Sequence, residues 1–184
     1  MKFKNPSLII VAALVILLAA FSRIVLYPNN FSPILAMAIF CGAMFRDKKL
    51  AFILPLSAML LSDGIFEIAH KGDGFWGWGQ LVHYGIFALI TILAFNFKKL
   101  TVLNVVLYTV AGTFIFFLLS NSVFFFIDNR IYHLYTQDTN GYMTCLDAGL
   151  PFLKKSLTAD LTYSTVFFGS YYLLHKYAFK NVIA

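Results

Sequence analysis

Residues 60–85 read LLSDGIFEIAHKGDGFWGWGQLVHYG. An apolar run ends on Ser62 and Asp63, and a second begins near Leu81. Between them lie Glu67, His70, Trp76 and Trp78, with His83 just inside the second run. Spacings of four and then three place Asp63, Glu67 and His70 on one stripe of a helix. The stretch therefore reads as a helix end, a turn rich in glycine and tryptophan, and the start of another helix. What kind of helices these are depends on the rest of the chain.

The chain has 184 residues, 60% hydrophobic and 12% charged. That charged share is about half of the roughly 25% found in soluble domains. With 21 Phe, 10 Tyr and a mean hydropathy of +0.80, it carries more apolar surface than a soluble domain of this size can hide. The expected class is all-α, a polytopic membrane protein with its spans in one bundle. The net charge of +6 does not point to nucleic acid, because the basic residues fall in short clusters between apolar runs. Cys41 and Cys145 are too few for a disulfide framework or a cysteine-based metal site.

Six spans are predicted in a single domain covering 1–184, at about 7–21, 31–45, 50–69, 81–97, 102–127 and 156–179. A crossing helix needs about 20 residues, so the second is short and the first is marginal unless it reaches Val25. Lys2, Lys4, Arg46, Lys48, Lys49, Lys98, Lys99, Lys176 and Lys180 fall on one side of this arrangement. Arg23, Lys71, Arg130, Lys154 and Lys155 fall on the other. The positive-inside rule then puts both termini in the cytoplasm, in a multi-pass protein of the bacterial inner membrane. The first span is expected to be retained, since Arg23 follows at once and no clean small-x-small cleavage site is present. Residues 128–155 are expected to form an outer loop, with a turn at Asn140-Gly141, a helix start or break at Pro151, and room for a short interfacial helix around 142–150.

Depth selects the candidate site. Counted along the third span, Asp63 lies roughly 20 Å above the inner face, and counted back from Lys176, Asp160 lies roughly 24 Å above it. Asn30 at the outer start of span two and Asn121, between Ser120 and Ser122 on span five, fall at the same level. Ionisable residues inside a span are costly and usually face a bundle interior or a cavity. The functional reading is a ligand pocket open to the outside. The plain reading is interhelical hydrogen bonding or helix capping.

The opening stretch has its own alternatives. Glu67 and His70 have the Glu-x-x-His spacing of di-metal carboxylate bundles, but Glu67 is the only glutamate in the chain, which excludes such a site. A single metal on Asp63, His70 and His83 is the remaining metal reading, and a solvated helix end is the bland one. Trp76 and Trp78 read as belt aromatics at the interface or as a flap that stacks on a planar ligand. His83 reads as a hydrogen-bonded helix residue before a ligand-binding one. Ala38 and Gly42 have the small-x-x-x-small spacing that lets helices approach closely, most simply within the bundle. No hydrolase, zinc-protease or phosphate-loop signature is present. The chain is therefore read as a non-enzyme without a cofactor, and an Asp63–Asp160 hydrolase pair is the weak catalytic alternative.

Two stretches carry a resemblance. NNFSPILAMAIFCGAMFRDKKLAFILPLSAMLLSD (29–63) and NGYMTCLDAGLPFLKKSLTADLTYSTVFFG (140–169), together about a third of the chain, resemble the two halves of a family of small, uncharacterised bacterial membrane proteins. That family is similar in size and span number to the substrate-binding S components of energy-coupling-factor vitamin transporters. The resemblance implies capture of a vitamin-like micronutrient, with cobalamin among the candidates, and release through a partner ATPase module. The end of the third span lacks a cysteine that could ligate cobalt, and only Cys145 or His70 could substitute. Ala159 stands where the resemblance expects glycine before Asp160. The expected function is uptake of a small molecule across the lipid bilayer, bound by Asn30, Asp63, Glu67, His70, Trp76, Trp78, His83, Asn121 and Asp160. A ligand-free membrane scaffold and a membrane metalloenzyme are the alternatives.

Overall fold

The computed structural model describes residues 6–26, 31–69, 74–75 and 77–178. Among them are six helices of eleven residues or more and no β-strand. Helix α1 is Pro6–Leu26, α2 Ile34–Met44, α3 Lys48–Ile68 and α4 Trp78–Ala94. Helix α5, Val102–Val123, continues through a π-helical turn, Phe124–Asp128, into the short α6, Asn129–Tyr132, and α7 is Thr139–Leu173.

The helix starts are written locally. Asp47 caps α3 by accepting from the Lys49 amide at 2.8 Å, and Thr101 caps α5 by accepting from the Asn104 amide at 3.2 Å. Helix α1 runs on to Leu26, the longer of the two expected lengths. Helix α4 starts at Trp78, three residues before the expected start, behind Gly77 at φ 83, a left-handed conformation that favours glycine.

Helix α2 is the centre of the bundle. Its sequence, ILAMAIFCGAM, is apolar all round, and a helix of that kind has to be buried on every side. All eleven residues are buried, against α3, α4, α5 and α7. This explains the short second span: at 1.5 Å per residue α2 is only about 16 Å long, a pin inside the bundle. Phe40 meets the Phe167 and Phe168 rings at 5.5 and 5.2 Å. Gly42 lets α2 touch α4, since a Cβ there would collide with the Thr91 carbonyl and lie 2.8 Å from Ala94 Cβ. The Ala38–Gly42 face is thus used within the chain.

The expected outer loop at 128–155 is mostly helix. Asp138 accepts from the Gly141 amide at 2.7 Å and starts α7 far ahead of the expected sixth span. Asn140-Gly141 is therefore in the first helical turn, where Gly141 packs directly on the Thr136 backbone. Pro151 does not stop the helix. Its missing N–H leaves only the Asp147 carbonyl without its helical partner, and residue 147 is exposed to solvent. Upstream, the fully buried Asn129 side chain exchanges two 2.9 Å hydrogen bonds with the Tyr135 backbone and closes the 129–135 turn.

Hydroxyls join the helices across the bundle. Ser22 and Tyr163 meet at 2.7 Å between α1 and α7, and Thr109 and Ser164 at 2.8 Å between α5 and α7. The outside is apolar: Leu14, Leu17, Leu18 and Phe21 on α1 and Val102, Leu103, Leu107, Phe114 and Leu118 on α5 are all exposed. Among the described residues two stretches, Lys48–Ile68 and Val102–Tyr132, are long and apolar enough to cross a membrane.

Candidate functional site

A cavity of about 390 Å³ opens between the helices, and all six long ones contribute to its wall. Arg23 comes from α1, Leu35 from α2, Asp63 from α3, His83 from α4, Asn121 from α5 and Asp160 from α7. Four of the nine expected site residues, Asp63, His83, Asn121 and Asp160, therefore line one space.

Asp63 is fully engaged. It lies one turn beyond Met59 on the inward face of α3 and is 3% exposed. Its Oδ1 accepts from Arg23 at 2.5 Å, and its Oδ2 from Gln80 at 2.7 Å and from the Tyr84 hydroxyl at 2.9 Å. Gln80 and Tyr84 are neighbours one turn apart on α4, so a single helix face supplies both donors. Arg23 also donates to Ser62 and lies over the Phe66 ring, 5.0 Å from its centroid. A buried charge needs such partners to be tolerated.

Asp160 is in a different situation. It is 3% exposed and accepts one hydrogen bond, from Thr113 at 2.8 Å. The same hydroxyl lies 2.9 Å from the Thr109 carbonyl. Arg23–Asp63 is the ion pair of the described residues, and no described cation reaches Asp160. Phe116, Phe117, Phe152 and Leu153 line the same cavity.

His83 and Asn121 complete the polar wall. His83 Nδ1 lies 2.7 Å from the Gly79 carbonyl, and its ring packs at 5.3 Å on Phe116. Asn121 donates to the Phe117 carbonyl at 2.8 Å, which leaves its Oδ1 beside Gly149 of α7. A Cβ on Gly149 would lie 2.8 Å from that oxygen, so glycine there lets α7 approach α5 at the cavity.

Two expected residues stand outside the wall. Glu67 is exposed, and its carboxylate accepts from the Gly74 and Phe75 amides at 3.0 and 3.2 Å, clamping the turn after α3. Trp78 is 83% exposed at the first turn of α4. One helical turn beyond Asp63, the stripe has already left the cavity and reached the connecting turn. Asn30, His70 and Trp76 lie outside the described residues. Among the described residues no group of three or more His, Cys, Asp and Glu side chains could hold a metal. Cys145 is buried against the Asn121 carbonyl, 3.9 Å away.

Sequence reasoning missed Arg23, Gln80, Tyr84 and Thr113. Counting Arg23 among the loop charges hides it, although a lone arginine at the end of an apolar helix is a signal for pairing with a buried acid. The Gln80–Tyr84 spacing was a weaker one. Nothing in the sequence distinguishes Thr113 from other threonines within helices.

Residues 3–182 match a family model described as a family of unknown function, DUF6580. The chain belongs to that family. Every residue of the cavity wall lies within the matched DUF6580 region. No curated protein and no solved structure matches the chain.

Proposed function

We propose that the chain is a membrane-embedded binding protein that takes up a small organic molecule, as the S components it resembles do. The observation that carries this reading is the cavity shared by all six long helices, with polar side chains set into an aromatic wall. Small-molecule sites have this composition and occupy about 300–1,000 Å³. At about 390 Å³ the cavity is near the lower end, which favours a compact ligand over a corrinoid. The apolar outer faces of α1 and α5 suit lipid contact in a bacterial inner membrane, with both termini on the cytoplasmic side. In this reading Asp63 is structural, since three donors already occupy it, and its role is binding architecture instead of acid–base chemistry. Release into the cell is assigned to an ATPase partner, on the strength of the S-component resemblance.

Native mass spectrometry of the protein extracted from its own membrane tests the reading. A retained small molecule is expected, and it should be lost when Ser120→Phe adds a ring to the cavity wall. An empty protein that also fails to respond to any vitamin in a thermal-shift panel would end the proposal.

A ligand-free scaffold is the second reading, favoured by the complete pairing of Asp63 with Arg23, Gln80 and Tyr84. It predicts that Ser120→Phe leaves cellular function intact.

A further inference from the structure

We propose that the ligand is a compact organic cation whose positive group sits at Asp160. The inference rests on the binding-protein reading above and adds the chemical class. Among the described residues, an arginine and two acids line the cavity: Arg23, Asp63 and Asp160. The first two pair with each other. Asp160 is left as the one described acid of the wall without a described cation, and its single described donor, Thr113, has one proton to divide between Asp160 and the Thr109 carbonyl. A buried acid held by one shared hydroxyl is an incomplete site. Its ionised form is stabilised by whatever brings a positive charge to it, because the attraction is strong where water is scarce.

The surrounding side chains choose among cations. A metal ion would need several oxygen or nitrogen ligands, and no described group of three metal-binding side chains is present. Phe87, Phe116, Phe117 and Phe152 line the same cavity. Aromatic faces attract organic cations through their quadrupoles, and they shelter apolar substituents equally well. Asn121 and Ser120 add neutral hydrogen-bonding capacity on the α5 side. An amine, or a heteroaromatic or quaternary cation, with a small apolar body fits this combination.

The test uses the purified full chain in detergent and three matched probes: phenethylammonium, 2-phenylethanol and 3-phenylpropionate. Thermal shift and calorimetry should show binding of the ammonium and a clear preference for it over the neutral and anionic probes. Asp160→Asn keeps an acceptor for Thr113 and should weaken ammonium binding by about tenfold or more. Asp160→Glu retains the charge and should retain the preference for the cation, which covers the case in which the Asn variant does not fold. Equal binding of the ammonium to wild type and Asp160→Asn, or a preference of wild type for the neutral or anionic probe, would overturn the charge assignment while leaving the pocket reading in place. Binding of none of the three probes would overturn the charge assignment, and a ligand then found by native mass spectrometry would show that the pocket reading had survived it.

Discussion

The Thr113 hydroxyl lies 2.8 Å from Asp160 Oδ2 and 2.9 Å from the Thr109 carbonyl, so one proton serves two acceptors where α5 meets α7. This shared donor is all that the described residues offer Asp160. Thr113→Val keeps the shape and removes the donor, and should destabilise the protein by about 1–3 kcal/mol. Thr113→Ser should recover most of that loss. Thermal unfolding in detergent measures both.

Arg23 and Asp63 should behave as a unit. Removing Arg23 leaves Asp63 buried beside neutral donors, and breaking a fully buried pair costs about 3–5 kcal/mol. Arg23 is 24% exposed, so water recovers part of this and roughly 2–3 kcal/mol is expected for Arg23→Ala. Adding Asp63→Asn to Arg23→Ala should restore at least half of the loss. An additive double mutant in a denaturation cycle would contradict the pairing.

Two helical glycines should respond in opposite directions. Gly42→Ala drives a methyl into the Thr91 backbone and should cost about 1–3 kcal/mol or more. A Cβ on Gly85 meets nothing within 4 Å, so Gly85→Ala should stabilise α4 by about 0.5–1 kcal/mol. Thermal midpoints of the two variants measured side by side decide the matter.

The start of α7 should loosen in acid. The Gly141 amide, and after it the Thr136 hydroxyl, hold the Asp138 carboxyl below its ordinary range. A depressed carboxyl contributes stability that is complete above its unfolded value, near 3.9, and is lost as pH falls through the lower folded value. Hydrogen exchange at residues 139–145 should therefore be protected at pH 6 and rise below about pH 4, beyond the intrinsic pH dependence of exchange. In Asp138→Ala the protection should already be weak at pH 6.

Asn129 holds the turn before α7. Asn129→Ala removes both hydrogen bonds to the Tyr135 backbone from a fully buried position and should cost about 2–3 kcal/mol. Limited proteolysis should then cut within 130–137 faster than in wild type.

Much of this architecture could be read along the chain. Composition and apolar runs determined an all-helical protein with six long helices, and five of the six begin within three residues of the expected position. That Asp63, Asn121 and Asp160 come together was also legible, because counting 1.5 Å per residue along each helix already aligned them, and the structure sets all three on one cavity. Helix α7 was the exception. Its early start depends on the Asp138 cap and on the close seat of Gly141 against Thr136, while the proline and the Asn-Gly pair signalled a loop.

Which way each side chain points around its helix was decided by the neighbours. Asp63 turns to Arg23, Gln80 and Tyr84, while Glu67, one turn later on the same stripe, turns to the Gly74 and Phe75 amides. Helix α2 takes the centre because it has no polar face to give to any surface. The Arg23–Asp63 pair, the cavity and the isolation of Asp160 join residues 40 to about 140 positions apart. Local propensity carries no information over that distance. These features were decided by packing, which gives one buried acid three donors and the other a single shared hydroxyl.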